Sequence, residues 1–120
     1  MRNIKIDLFF LYRSNEGYDW VGGMYVPKKQ KLRWIYPHIG RLCTGALLGY
    51  LFHVPCNAVD VLEADYGKKW KVPHKTRNFN WYSSHHNVHT NGYWSAEEWS
   101  NVFRIMTNQP MANFQKFKKC

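Results

Sequence analysis

Cysteine, acidic side chains and long apolar runs are all scarce in this chain of 120 residues, which holds 3 Cys and 8 Asp plus Glu. Cys43, Cys56 and Cys120 cannot all pair with one another, and none stands at C-x-x-C spacing. Cysteine therefore supplies no disulfide scaffold and leaves the redox compartment open. The longest apolar stretch, residues 46–54, is broken by Gly49, Tyr50 and His53. A spanning helix takes ~20 apolar residues, so no membrane span is expected. Near the start, Arg2, Lys5 and Asp7 put charge where a secretion signal keeps a continuous apolar core. The expectation is a chain that carries neither signal nor anchor as given. Repeats and low-complexity segments are absent too.

The shortage of acid leaves 17 Lys plus Arg nearly uncompensated, for a formal charge of +9. Such a balance favours an anionic partner such as phosphate, nucleic acid or a membrane surface, and says nothing about fold. With 45% hydrophobic and 21% charged residues the chain is not a disordered tail. Its length suits one domain, which would bury roughly two-thirds of its unfolded surface. Aromatics reach 18%, so the core or a ligand face is rich in rings.

Periodicity gives a coarse map. Ile4, Ile6, Leu8, Phe10 and Tyr12 share one face at period two, which predicts a strand over residues 3–12. Residues 13–20 read as a polar turn. Residues 24–26 and 32–36 read as short strands around a Pro27–Lys31 tip. Residues 42–54 are mostly apolar and strand in part, with Gly45 and Gly49 spoiling any strict period. Asn57 can cap a helix whose face is Val59, Leu62 and Tyr66 and which stops at Gly67. Residues 68–90 read as irregular, held by Trp70, Phe79, Trp81 and Tyr82. A second helix starts at Ser95, where Ser95 and Glu98 have capping-box spacing, with Trp99, Val102, Phe103 and Met106 as its apolar stripe. Residues 111–120 read as a basic tail. The expected class is a mixed α+β domain over residues 1–110, short strands in the first half and two short helices in the second.

Asp7 is the sharpest single residue. It sits between Ile6 and Leu8, and burying an unpartnered carboxylate is costly. It is either a solvated side chain on a half-exposed strand or a ligand to a hard cation such as Mg²⁺. His85, His86 and His89 form His-His-x-x-His, but Ser83, Ser84, Asn87, Asn91 and Gly92 make the segment a loop. No Cys or acid stands near enough to complete a tetrahedral site, so polar loop histidines are expected. Two basic clusters each carry a tryptophan: Lys28, Lys29, Lys31 and Arg33 with Trp34, then Lys68, Lys69, Lys71, Lys75 and Arg77 with Trp70. Rings beside cations grip single-stranded nucleic acid, a pyrophosphate or a phosphorylated glycan. The first cluster reads as a solvated hairpin tip, and the second is the better ligand candidate. There is no RNA-recognition signature, zinc-finger spacing or glycine-rich phosphate loop, and Gly22-Gly23 reads as a turn. Cys56 near His53 reads as a structural cysteine.

Several of these residues occur in a familiar order. Val54-Pro55-Cys56, Glu63-Ala64, Tyr66-Gly67-Lys68, Trp70-Lys71 and Pro73 resemble the C-terminal catalytic region of the fukutin side of the LicD/fukutin phosphotransferase family. Asn87-Val88, Asn91-Gly92, Trp94 and Glu98-Trp99 continue the pattern. Upstream, residues 5–10, Trp20, Gly22-Gly23 and Tyr36-Pro37 fit as well. The resemblance implies a nucleotidyltransferase-like fold, here in part, and transfer of an alditol phosphate from a CDP-linked donor to a glycan. Fukutin-type members transfer ribitol 5-phosphate in the Golgi. It further implies Mg²⁺ or Mn²⁺ held by carboxylates, with Ile6-Asp7-Leu8 matching the third of them, so that Asp7 has a metal and catalytic role. Lys68, Lys69 and Lys71 become candidates for meeting a phosphate or glycan. Trp70, Trp81, Trp94 and Trp99 are expected to pack rather than recognise.

The family's D-x-D strand lies before the position of Asp7, and Asp60 and Asp65 have the wrong spacing to replace it. The expectation is therefore the C-terminal portion of such a domain, without the family's usual N-terminal anchor and inactive by itself. A rival from another class is a non-catalytic module that binds glycan or a full-length family member. A basic RNA-binding protein rests on charge and aromatics alone.

Overall fold

A computed structural model describes residues 6–104. Strands β1 (Leu11–Arg13), β2 (Tyr18–Tyr25) and β3 (Gln30–Pro37) are followed by β4 (Leu42–Leu47), β5 (Tyr50–Pro55) and helix α1 (Ala58–Tyr66). Strand β6 (Val88–Tyr93) and helix α2 (Ala96–Val102) complete the order. The class is α+β, as the sequence implies. Four strands form one antiparallel sheet in the order β1-β2-β3-β6, and β4 and β5 pair as a separate hairpin.

Register decides which side chains share a face, because residues directly opposite point the same way. Asp19↔Tyr36, Val21↔Trp34, Gly23↔Leu32 and Trp34↔Val88 set one face. It is covered by α1 and the connection over residues 67–87, where Trp34 stacks on Trp81 and Tyr66 and Phe79 close around His85. Leu32 and Trp34 are the buried apolar side chains of the described residues. Gly23 is required here, since a Cβ would stand 2.6 Å from the Trp34 ring. Tyr12↔Trp20, Gly22↔Arg33, Met24↔Lys31 and Arg33↔His89 set the opposite face, which α1 does not cover.

Three local expectations change. The first strand does not run through residues 6–10: β1 begins at Leu11, and Ile6, Leu8, Phe9 and Phe10 lie outside any strand and exposed, while residues 3–5 of the expected strand lie outside the described residues. Continuing the Leu11↔Val21 register would set Phe10 and Phe9 opposite Gly22 and Gly23, which offer no side chains to pack against. The polar turn shrinks to residues 14–17, and Tyr18-Asp19-Trp20 joins β2. Asp19 reads as turn chemistry, but it points inward. Finally, β6 takes residues 88–93 out of the irregular stretch, ordered by the ladder to β3 and not by an apolar pattern of its own.

The helix starts lie where spacing puts them, but α2 ends at Val102, and Phe103, expected in its apolar stripe, stands in extended backbone just after it. Gly67 ends α1 with φ of 75° and donates its N–H to Glu63 O. Asn57 stands at the cap position, yet its Nδ2 donates to His38 O instead of its side chain capping the helix. Ser95 and Glu98 complete a reciprocal capping box at α2. Cys43 and Cys56 are joined by a disulfide that staples the base of the β4–β5 hairpin. Its tip turns through Leu48 and Gly49, both at positive φ, the twist that two-residue hairpins favour. Met106 and the basic tail lie outside the described residues.

Candidate functional site

The uncovered face of the sheet carries a row of cations over rings. Trp20 stacks on Tyr12 at 4.5 Å, and the Arg33 guanidinium lies 4.1 Å from the Trp20 ring centre. Lys31 Nζ lies 4.2 Å from the Trp94 ring, and Lys29 Nζ 5.5 Å from Trp99. Alternation along β3 produces this: Lys31 and Arg33 face one side while Leu32 and Trp34 face the other. Lys28 and Lys29 stand exposed at the tip as expected, whereas Lys31 and Arg33 lie on the sheet face, and the ring partners are Trp20, Trp94 and Trp99 in place of Trp34. Trp94 and Trp99, expected to pack, do so against ammonium groups. Glu98 Oε2 also approaches Lys31 Nζ at 3.5 Å. The Ser95 N–H and then Lys31 hold the Glu98 carboxyl below its ordinary range.

Beside this row a groove of about 420 Å³ opens between Tyr12, Trp20, Met24, Lys31, Asn91 and Trp94, with residues 8–10 along its rim. It has no acidic lining residue. Aromatic walls give a planar or sugar ring surfaces to stack on, and with Lys31 and no acid in the lining an anionic substituent on that ring is favoured.

Asp7 is exposed, outside any strand. Lys68, Lys69 and Lys71 are exposed on the turns that follow α1, with Lys71 Nζ 5.3 Å from the Trp70 ring. Among the described residues no hydrogen bond or ion pair joins Asp7 to these lysines or the lysines to one another. The described residues do not compose a site for Mg²⁺ or Mn²⁺, since no group of three His, Cys, Asp or Glu side chains converges there. Asp7 offers a single exposed carboxylate. The three histidines part company. His85 Nδ1 stands 3.2 Å from Asp65 Oδ1, out of hydrogen-bond alignment. His86 packs on Gly67, and His89 sits on β6 opposite Arg33.

Two constellations escape a linear reading. Tyr36 donates to Asp65 Oδ1 at 3.0 Å, tying β3 to the end of α1. Burial, then the Asp65 charge, drives the Tyr36 hydroxyl far above its ordinary range. The other centres on Asp19, the most buried residue described, at 1% exposure. Its Oδ2 accepts the Ile39 N–H at 2.8 Å, and its Oδ1 lies 3.2 Å from His38 Nδ1 and 3.5 Å from Arg13 Nε. Burial alone would raise the Asp19 carboxyl, but the Ile39 N–H, His38 and Arg13 outweigh it and hold the group below its ordinary range. The only sequence signal for this node was an acid two residues into what proved to be a strand.

Comparison with known proteins gives one consistent relationship. The chain is 38% identical over 103 residues to the ribitol-5-phosphate transferase FKTN of Mus musculus, covering 86% of this chain and 22% of that protein. Identity to the ribitol-5-phosphate transferase FKTN of Homo sapiens is 35% over the same length and coverage. An uncharacterized Caenorhabditis elegans protein is 33% identical over 106 residues, 85% of this chain and 27% of its own length. The chain therefore spans about a fifth to a quarter of the curated relatives it matches. No family model matches, and no solved structure matches.

Proposed function

We propose that this chain, a fukutin-like homologue, is the C-terminal portion of a glycan-modifying phosphotransferase that moves ribitol phosphate from a CDP-linked donor to a glycan acceptor. The observation that carries this is the 38% identity to a ribitol-5-phosphate transferase across 86% of the chain. The aromatic and cationic face supports it, because rings and ammonium groups beside an acid-free groove suit a sugar or base that bears phosphate.

Asp7 is proposed as one carboxylate ligand to Mg²⁺ or Mn²⁺, its companions being carboxylates from outside these 120 residues, as the family's D-x-D pair would be. When bound, such an ion offsets the charge that develops on a transferred phosphoryl group. By itself the described portion is proposed to be inactive. Lys68, Lys69 and Lys71 are exposed and make no ion pair among the described residues, so they can meet phosphate on donor or acceptor. A glycosylation compartment, the Golgi by resemblance, agrees with the Cys43–Cys56 disulfide, which forms and persists in oxidising surroundings. No helix of the described residues is long and apolar enough to cross a membrane.

The test is transfer of ribitol phosphate from CDP-ribitol by the native protein as its source makes it, with Mg²⁺ or Mn²⁺ and with EDTA. Transfer should stop in EDTA and in Asp7→Asn. Replacing Lys68, Lys69 and Lys71 by Gln should raise KM several-fold with little change in kcat. Undiminished transfer by Asp7→Asn would remove its role. Glycan binding indifferent to EDTA, with no transfer, would make the chain a binding module. Steeply salt-dependent RNA binding without sugar preference would overturn both readings.

A further inference from the structure

We propose that His38, oriented by the buried Asp19, is a proton-accepting site for a substrate hydroxyl, and that Arg13 beside it meets negative charge on the same substrate. None of the three belongs to the Asp7 and lysine assignment above. Only the identity of the hydroxyl rests on the transferase reading.

Geometry fixes the imidazole. An ionised carboxylate can only accept hydrogen bonds, so Asp19 Oδ1, 3.2 Å from His38 Nδ1, places the ring proton on Nδ1. In the neutral ring the lone pair then sits on Nε2. The His38 side chain is 41% exposed while that of Asp19 is 2% exposed, so solvent reaches the ring but not the carboxylate behind it. Gly40 flanks the ring, and a Cβ there would stand 3.2 Å from Nε2, so glycine keeps the approach open. The loop is also tied at the backbone, by the Ile39 N–H to Asp19 Oδ2 and by Asn57 Nδ2 to His38 O. A buried carboxylate that sets the tautomer and stabilises the imidazolium formed later is the arrangement by which an imidazole serves as a general base. Arg13 shares Oδ1 through Nε at 3.5 Å, and its side chain is 65% exposed. Its remaining N–H groups are available to a phosphate.

In the transferase reading an acceptor hydroxyl attacks the donor phosphorus and gives its proton to His38 Nε2. The new O–P bond forms as the P–O bond to the nucleoside monophosphate breaks, and the leaving group departs with the bonding pair. The resulting imidazolium rests against Asp19.

The experiment reads Nε2 directly in the full chain. Diethyl pyrocarbonate acylates accessible neutral imidazoles, and peptide mass spectrometry gives the rate at each histidine. His53 and His74, exposed and without a side-chain hydrogen bond among the described residues, serve as internal references. His38 should react several-fold faster than either, and ¹⁵N NMR should show its proton on Nδ1. Sulfate should slow His38 alone, and Arg13→Gln should abolish that protection. Asp19→Asn should bring His38 to the reference rate or below, because the amide can donate to Nδ1 and reverse the tautomer. A His38 rate equal to the references, or a proton on Nε2 in the unaltered chain, would overturn the proposal without recourse to any variant. Absence of sulfate protection would overturn the part given to Arg13. In the transfer assay His38→Gln should lower kcat with KM retained. Transfer undiminished by that change sinks the base and leaves the transferase reading standing. Absence of transfer with the acylation pattern intact does the reverse.

Discussion

On the covered side of the four-stranded sheet Trp34 is 8% exposed and Asp19 is met by a backbone N–H, an imidazole and a guanidinium. On the β4–β5 hairpin Leu48 is 90% exposed, Leu51 74% and Tyr50 71%, and the strands are joined at their base by Cys43–Cys56. Both regions are regular β-structure, yet different forces hold them. Burial and the partners of the Asp19 carboxylate fix the sheet. The hairpin has its ladder and a covalent link, and two strands alone are marginal in water. A sequence rich in rings has thus spent them unevenly, and the apolar side chains of residues 6–12 and 42–52 stay largely outside the core. Stretches of this kind on a soluble surface usually meet another surface.

The sharpest way to break the comparison is Trp34→Ala. Truncating a buried tryptophan costs about 3–5 kcal/mol, so the thermal midpoint should fall steeply or the fold be lost. A change under about 1 kcal/mol would mean that the covered face is no core. Reducing Cys43–Cys56 should act elsewhere. Its sequence separation is 13, for which loop-closure entropy gives about 3 kcal/mol. Amide exchange should rise across β4 and β5 while β2 and β3 keep their protection. Equal loss in both sheets would show that the hairpin is part of the main cooperative unit.

Asp19→Ala should cost about 2–3 kcal/mol, since it leaves the Ile39 N–H without its acceptor. Its pH dependence has a definite sign. The folded Asp19 carboxyl is held below the ordinary carboxylate value. The stability it contributes is therefore present above that value and disappears as pH falls through the lower folded value. Urea midpoints of the parent and Asp19→Asn should differ at neutral pH and converge in acid. A difference that grows in acid would mean that the buried carboxylate is a burden to the fold.

What was legible in the chain follows the same division. Helix boundaries at Asn57, Gly67 and Ser95 are local chemistry, and they were readable to within a residue. The hairpin of β2 and β3 announced itself through the Pro27–Lys31 tip. Strand β6 did not, because Val88, His89, Thr90 and Asn91 have no apolar alternation and gain their order from β3. Pairings across the sheet were invisible for the same reason: Lys31 over Trp94 and Arg33 over Trp20 join residues from different strands, so proximity in sequence pointed to Trp34, on the wrong face. Asp19 looked like a turn residue because its partners, Arg13 and His38, come from other elements. Asp7 stood out in sequence for its apolar neighbours, and those neighbours are themselves exposed.

The smallest effect should come from Ser95→Ala, and it sharpens the contrast by touching neither region. Ser95 Oγ accepts the Glu98 N–H at 3.1 Å, and Glu98 Oε2 accepts the Ser95 N–H at 3.0 Å. Losing an N-cap hydroxyl costs about 1 kcal/mol. Helix α2 is linked to the uncovered face by Lys31, which lies 3.5 Å from Glu98 and over Trp94. Fraying its first turn should therefore increase exchange in α2 and loosen Lys31, while Trp34 and the stapled hairpin stay as they are. Trp34 resonances that shifted with Ser95→Ala would show that the two faces of the sheet are mechanically one, and the division between covered and open sides would have to be given up.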